Sequence, residues 1–125
     1  MTSASSILSL AIIAGLSQSA YAADVKAANT SKGEILVLLS SENVMQLADG
    51  KTEPTGYYLN EFGVPAKALV DAGYKLVLAT PKGNAPSVDK KSVIPQYFDG
   101  GESQMRDTQT FVASIEGIDD TLSLS

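Results

Sequence analysis

No cysteine, histidine or tryptophan occurs among the 125 residues. Without cysteine the chain can form no disulfide, no thiolate metal site and no cysteine nucleophile of its own. Without histidine it lacks the commonest general base and the commonest metal ligand. Basic residues are also few: 9 Lys and Arg stand against 14 Asp and Glu, a formal net charge of −5. With no basic cluster in the order of residues, neither nucleic acid nor an anionic membrane surface is expected as a partner. Ten glycines and five prolines are too few for a fibrous or linker-like chain. A hydrophobic fraction of 44% against 18% charged residues instead describes a globular chain.

Charge is missing altogether from residues 1–22. Within them Ile7 to Leu16 (ILSLAIIAGL) is an apolar run, followed by Ser17-Gln18-Ser19 and Ala20-Tyr21-Ala22. That is the layout of a signal peptide with an A-x-A cleavage site, and the run is about half as long as a membrane-spanning helix. The departure from the pattern is an n-region with no Lys or Arg. The expectation is an exported, periplasmic or secreted protein cleaved after Ala22, with no membrane association afterwards. The alternative is a buried helix at the start of the domain. Residues 23–33 read as a polar linker, and 34–125 as an α/β domain.

Glu34 to Ser40 (EILVLLS) is a continuous apolar run that suits a parallel strand buried on both faces. A polar stretch from Glu42 to Pro54 carries a turn signal at Asp49-Gly50. After Thr55-Gly56, the apolar positions Tyr57, Tyr58, Leu59, Phe62, Ala66, Leu69 and Val70 recur at helical spacing. Pro65 interrupts them, so the pattern predicts a short helix to Phe62 and a second one opening at Pro65. Gly73 is the expected stop. Tyr74 to Ala79 is a second strand, which makes a βαβ unit with adjacent parallel strands. From Pro81 onward the chain reads as loop, apart from a weak amphipathic helix over Gln104–Ile115. Two strands and one strong helix leave a parallel sheet half covered. Either a partner covers it or the chain is the front part of a longer domain.

The series Ile35–Ser41 (ILVLLSS), Asp49–Thr52 (DGKT), Pro54–Phe62 (PTGYYLNEF) with Pro65, Asp71–Tyr74 (DAGY), Ala79–Gly83 (ATPKG), Ala85-Pro86 and Asp89 becomes specific when taken in order. It resembles the opening half of the PfpI family, in the chaperone and glyoxalase branch of the class I glutamine-amidotransferase-like superfamily. The resemblance is dense from Ile35 to Asp89 and thin after it. It implies a flavodoxin-like α/β sandwich with a parallel sheet, of which only the first part is present. It also implies a site in which a cysteine on a strand-to-helix elbow works with a histidine and a glutamate, with no metal or organic cofactor.

By motif the glutamate corresponds to Glu61, with Gly56 and Tyr57 beside the pocket. A carboxyl in a partly buried pocket has a raised pKa, and in its protonated form it can donate to a thiolate and favour it. The cysteine and histidine are absent here, so the chain alone should be inert. For an intact parent the resemblance implies hydrolase or glyoxalase-type chemistry on a small carbonyl substrate, such as a dicarbonyl, or on glycated substrates.

From the residues alone, Glu61 reads as a solvated helix glutamate, Tyr57 and Tyr58 as packing residues, and Asp49–Thr52 as a plain turn. Lys82 and Lys90-Lys91 read as solvated loop charges. Asp119-Asp120 is a weak metal signal without converging ligands. A second functional reading is a non-enzymatic exported module that binds a ligand or forms a homodimer through exposed strands. A periplasmic solute-binding lobe would need a second lobe and a hinge.

Overall fold

A computed structural model describes residues 30–125; the expected leader 1–22 and most of the linker 23–33 lie outside the described residues. The order of elements is β1 (Glu34–Leu38), β2 (Val44–Gln46), β3 (Thr52–Pro54), α1 (Leu59–Asp71), β4 (Lys75–Thr80), α2 (Gly101–Ser114) and β5 (Leu122–Ser123). Single 3-10 turns at Lys90–Ser92 and Pro95–Tyr97 lie between β4 and α2. The architecture is mixed α/β, consistent with a flavodoxin-like fold.

β1, β4 and β5 form a parallel sheet in the order β1-β4-β5. The βαβ unit expected from the sequence is therefore present, with Ile35 opposite Leu76 and Val37 opposite Leu78. Alternation along the strands sends these four to one face. There they join Leu59, Phe62 and Ala66 of α1, Val112 of α2, Phe98 and Ile115 in one core. Both helices thus cover the same face of the sheet.

The other face corrects the expectation for β1. Leu36 and Leu38 are 62% and 60% exposed, so β1 is not buried on both sides. An unbroken apolar run fits a strand between two helical layers, and the described residues supply one layer.

α1 is a single helix of 13 residues with Pro65 inside it, not two helices divided at Pro65. Proline has no N–H, so the Glu61 carbonyl loses its usual main-chain donor four residues on. The helix continues because Leu59, Phe62 and Ala66 form one buried stripe along it, while Pro65 faces solvent. Gly63 lets α2 approach closely: a Cβ there would lie 2.3 Å from Thr108 Cγ2. The expected stop is present as well. Gly73 has φ +98°, its N–H donates to the Val70 carbonyl, and the Tyr74 N–H donates to the Leu69 carbonyl. This is a Schellman closure, which needs a residue comfortable at positive φ.

Two elements are additional to the sequence reading. The polar stretch after β1 is a hairpin, with β2 and β3 antiparallel and Val44 opposite Pro54. Its turn is fixed by the Leu47 N–H donating to the Lys51 carbonyl at 2.8 Å. Lys51 also holds the exposed Asp49 carboxyl below its ordinary range, by side-chain and main-chain hydrogen bonds. An ion pair between Glu53 and Lys91 ties the hairpin to the loop before α2. The second addition is β5, two residues that extend the sheet beside Ala79 and Thr80. It is locked by Thr80, fully buried, whose hydroxyl lies 2.9 Å from the Thr121 hydroxyl and within bonding distance of Asn84. The α2 helix begins at Gly101, three residues ahead of the start expected from the apolar pattern.

Candidate functional site

The segment Thr55–Glu61 enters α1 from the hairpin, and its conformation is set by two distant residues. Gly56 lies against the loop after β4. A Cβ at this position would meet the Ser87 carbonyl oxygen at 2.1 Å, so only glycine permits the approach. Gly56 thus serves a close approach of two backbones. Next to it the Tyr57 N–H donates to the Ser87 carbonyl at 2.9 Å, and the Asp89 N–H donates to the Tyr57 carbonyl at 2.8 Å. These two bonds make a short parallel bridge between Tyr57 and Val88.

The N-terminus of α1 has no side-chain cap from its own N-cap residue, Tyr58. Ser92 supplies one. Its hydroxyl accepts from the Leu59 N–H at 2.8 Å and donates to the Asp89 carbonyl at 2.6 Å. A helix start normally leaves main-chain donors unsatisfied, and this bond satisfies one in a buried setting. Ser92 carries no signal in the sequence, because its partner is 33 residues away.

Glu61 stands in the first turn of α1 and is exposed. Among the described residues it has no ion-pair partner. A carboxylate in a first helical turn is favoured by the helix dipole. Beside it, Asn60 Oδ1 is buried with no hydrogen-bond partner among the described residues, an acceptor that water or a bound donor would satisfy.

Tyr57 is half-buried and packs edge-on against Phe62, with ring centroids 5.1 Å apart and an interplanar angle of 74°. Burial pushes its phenol above the ordinary value of 10.0. The ring lines a groove of about 350 Å³ with Leu59, Pro86, Val88, Val93 and Asp119. The structure thus brings Tyr57 to this groove, and neither Gly56 nor Glu61 is among the residues lining it. Tyr58 packs against Tyr97, with ring centroids 5.9 Å apart.

The remaining candidates resolve as surface features. Lys82 pairs with Glu42 at 2.6 Å at an exposed position, and Lys91 pairs with the partly buried Glu53. Asp49–Lys51 lies in the hairpin turn and Thr52 opens β3. Among the described residues no group of three or more Asp or Glu side chains is placed to hold a metal ion, Asp119 and Asp120 included. No described helix is long and apolar enough to cross a membrane.

No family model matches the chain, and no curated protein matches it. Among solved structures it is similar to glyoxalase III from Candida albicans, at 27% sequence identity and a TM-score of 0.46. That alignment covers 68% of this chain and 33% of the other, so the chain spans about a third of that structure's length.

Proposed function

We propose that these residues are the amino-terminal part of an exported PfpI-like protein whose intact form carries out cysteine-dependent chemistry on a small dicarbonyl or a glycated substrate. The observation that carries this reading is where the motif series falls. The ILVLLSS motif runs through β1 and DAGY joins α1 to β4 in a parallel β1–α1–β4 unit, and the T-G-x-x-x-x-E motif puts Glu61 in the first turn of its crossover helix. The Gly56 approach supports it further, since that motif position tolerates no side chain.

In this reading the thiol and the histidine come from polypeptide beyond these 125 residues. The thiolate adds to the aldehyde carbon of the dicarbonyl, forming a C–S bond and a hemithioacetal. Glu61 carries a proton between the two adjacent carbons. Water then adds at the thioester carbon, the C–S bond breaks, and a 2-hydroxy acid leaves with the thiol restored. The 125 residues alone carry no such nucleophile and are inert. Export rests on the uncharged leader and on Ala20-Tyr21-Ala22.

The test is the intact mass of the endogenous protein, captured by an antibody to the Ile35–Asp89 region. A mass well above 13.0 kDa is expected. A mass at or slightly below that value would overturn the reading for this product. So would consumption of methylglyoxal by the purified 125-residue chain above background.

A further inference from the structure

The chain contains two Asp-Gly pairs, Asp49-Gly50 and Asp99-Gly100. In such a pair the aspartyl carboxyl carbon is an electrophile, and the amide nitrogen of the next residue is a nucleophile within reach of it. Glycine has no Cβ to shield that nitrogen, so closure to a five-membered succinimide meets the least hindrance there.

The fold treats the two pairs differently. The Asp49 carboxylate is held twice by Lys51, through the side-chain ammonium at 2.8 Å and the main-chain N–H at 3.3 Å. These contacts favour the ionised carboxyl, and the ionised form has no water to lose. The Gly50 N–H donates to the Leu47 carbonyl at 3.2 Å, in a turn closed a second time by the Leu47 N–H on the Lys51 carbonyl. Electrophile and nucleophile are both engaged.

Asp99 is exposed, and among the described residues no ion pair or hydrogen bond holds its carboxylate. The Gly100 N–H is held by a side chain and not by the main chain: it donates to Gln104 Oε1 at 2.7 Å. A side-chain rotation releases it, whereas release of the Gly50 N–H requires the hairpin turn to open. Gly101 follows at φ +64°, with open space where a Cβ would stand.

We propose that Asp99-Gly100 is a site of spontaneous isomerisation, at which Asp99 passes through a succinimide to isoaspartate, while Asp49-Gly50 is shielded by its hairpin. In the first step the Gly100 nitrogen bonds to Asp99 Cγ and loses its proton, and the carboxyl loses one oxygen as water. In the second, water adds at the other ring carbonyl and the bond from that carbon to nitrogen breaks. The main chain then runs through the former side-chain carboxyl, with no net change of mass and no co-reactant.

The extra main-chain carbon falls at a junction. Asp99 and Gly100 are the middle residues of the turn that the Gly101 N–H closes on the Phe98 carbonyl at 3.0 Å. Phe98 is a buried core residue, and α2 begins at Gly101. Isomerisation therefore lengthens the link between a core anchor and a helix start, and loosens the seating of α2 as the protein ages. The proposal does not rest on the enzymatic reading.

The test uses the full 125-residue chain, aged for several weeks at neutral pH and body temperature. Isoaspartate is counted by methyl transfer from S-adenosylmethionine with an isoaspartyl methyltransferase, and placed by electron-transfer fragmentation of the peptides. Asp99 should accumulate it several-fold faster than Asp49 in the folded chain, and at the same rate as Asp49 in urea. Lys51→Ala, at an exposed position, should speed Asp49 several-fold and leave Asp99 unchanged. Gln104→Ala should speed Asp99. In the isomerised protein the Gly101 amide should exchange faster with solvent, and the β4 amides should not.

Isomerisation of Asp49 as fast as that of Asp99 in the folded chain would overturn the proposal. A preference for Asp99 that persists in urea would overturn it as well, because the difference would then lie in the local sequence and not in the fold. So would a Lys51→Ala chain in which Asp49 stays as slow as before. Unchanged Gly101 exchange in the isomerised protein would overturn the link to α2.

Discussion

The Ser92 hydroxyl caps α1 across 33 residues of sequence, accepting the Leu59 N–H at 2.8 Å while donating to the Asp89 carbonyl at 2.6 Å. Ser92 is fully buried, so neither bond can be exchanged for water if the hydroxyl is removed. Ser92→Ala should therefore leave an unsatisfied buried donor at the helix start. The expected loss is about 1–2 kcal/mol of stability, measured by chemical denaturation. Hydrogen exchange should localise the effect to the Leu59–Phe62 amides and spare those of β4. A uniform loss of protection would show that the serine supports the core generally and not the helix start.

Gly56 makes the complementary contact from the other side of the same junction. Gly56→Ala places a methyl group 2.1 Å from the Ser87 oxygen and 2.7 Å from the Asp89 nitrogen. Both are main-chain atoms and cannot swing aside, so the Tyr57–Val88 bridge must open. The expected cost is at least about 2 kcal/mol. Gly50→Ala is the control: φ is +75° but no atom lies within 4 Å, so only backbone strain of about 1 kcal/mol applies. Equal losses at the two positions would mean that the approach to Ser87 is not what Gly56 serves.

Pro65 is exposed and leaves the Glu61 carbonyl without its helical donor. Pro65→Ala restores that donor, while loosening the unfolded chain in the opposite direction. The net expectation is a gain of about 1–2 kcal/mol, read from the denaturation midpoint. A loss of stability would indicate that proline at position 65 is needed to seat Phe62 and Ala66 together.

What the order of residues made legible is the β1–α1–β4 unit. Two short apolar runs, a helical stripe and Gly73 each point to the same element, and none needs a distant partner to be interpreted. The elements that escaped share the opposite property. The β2–β3 hairpin consists of three-residue strands with mostly exposed side chains, held by the Leu47–Lys51 turn bond and the Lys91–Glu53 pair and not by any periodicity. β5 is two residues long and depends on Thr80 and Thr121 meeting across 41 positions. Pro65 misled because a local rule for helix breaking was outweighed by the packing of Leu59, Phe62 and Ala66. At the candidate site, Gly56 and Glu61 are singled out by the motif resemblance and not by spacing, and their environments are not legible at all. The groove beside Tyr57 is built from Pro86, Val88, Val93 and Asp119, none of which signals its neighbours in sequence.

Tyr57 offers a test by pH. Its phenol titrates above 10.0 in the folded chain because burial penalises the phenolate. The folded state thus holds the phenolic proton more tightly than the unfolded state does. The contribution to stability is fully present below pH 10, shrinks as pH rises past 10, and is lost as pH rises through the folded-state value. Thermal unfolding followed between pH 8 and 11 should show a decline at the alkaline end that Tyr57→Phe makes shallower. Tyrosinate absorbance should show a component that ionises above 10.0, that is lost on unfolding and that is missing from Tyr57→Phe. If Tyr57→Phe leaves the alkaline decline as steep as before, another group carries it, and the groove beside Tyr57 is more open to water than its half-buried ring indicates.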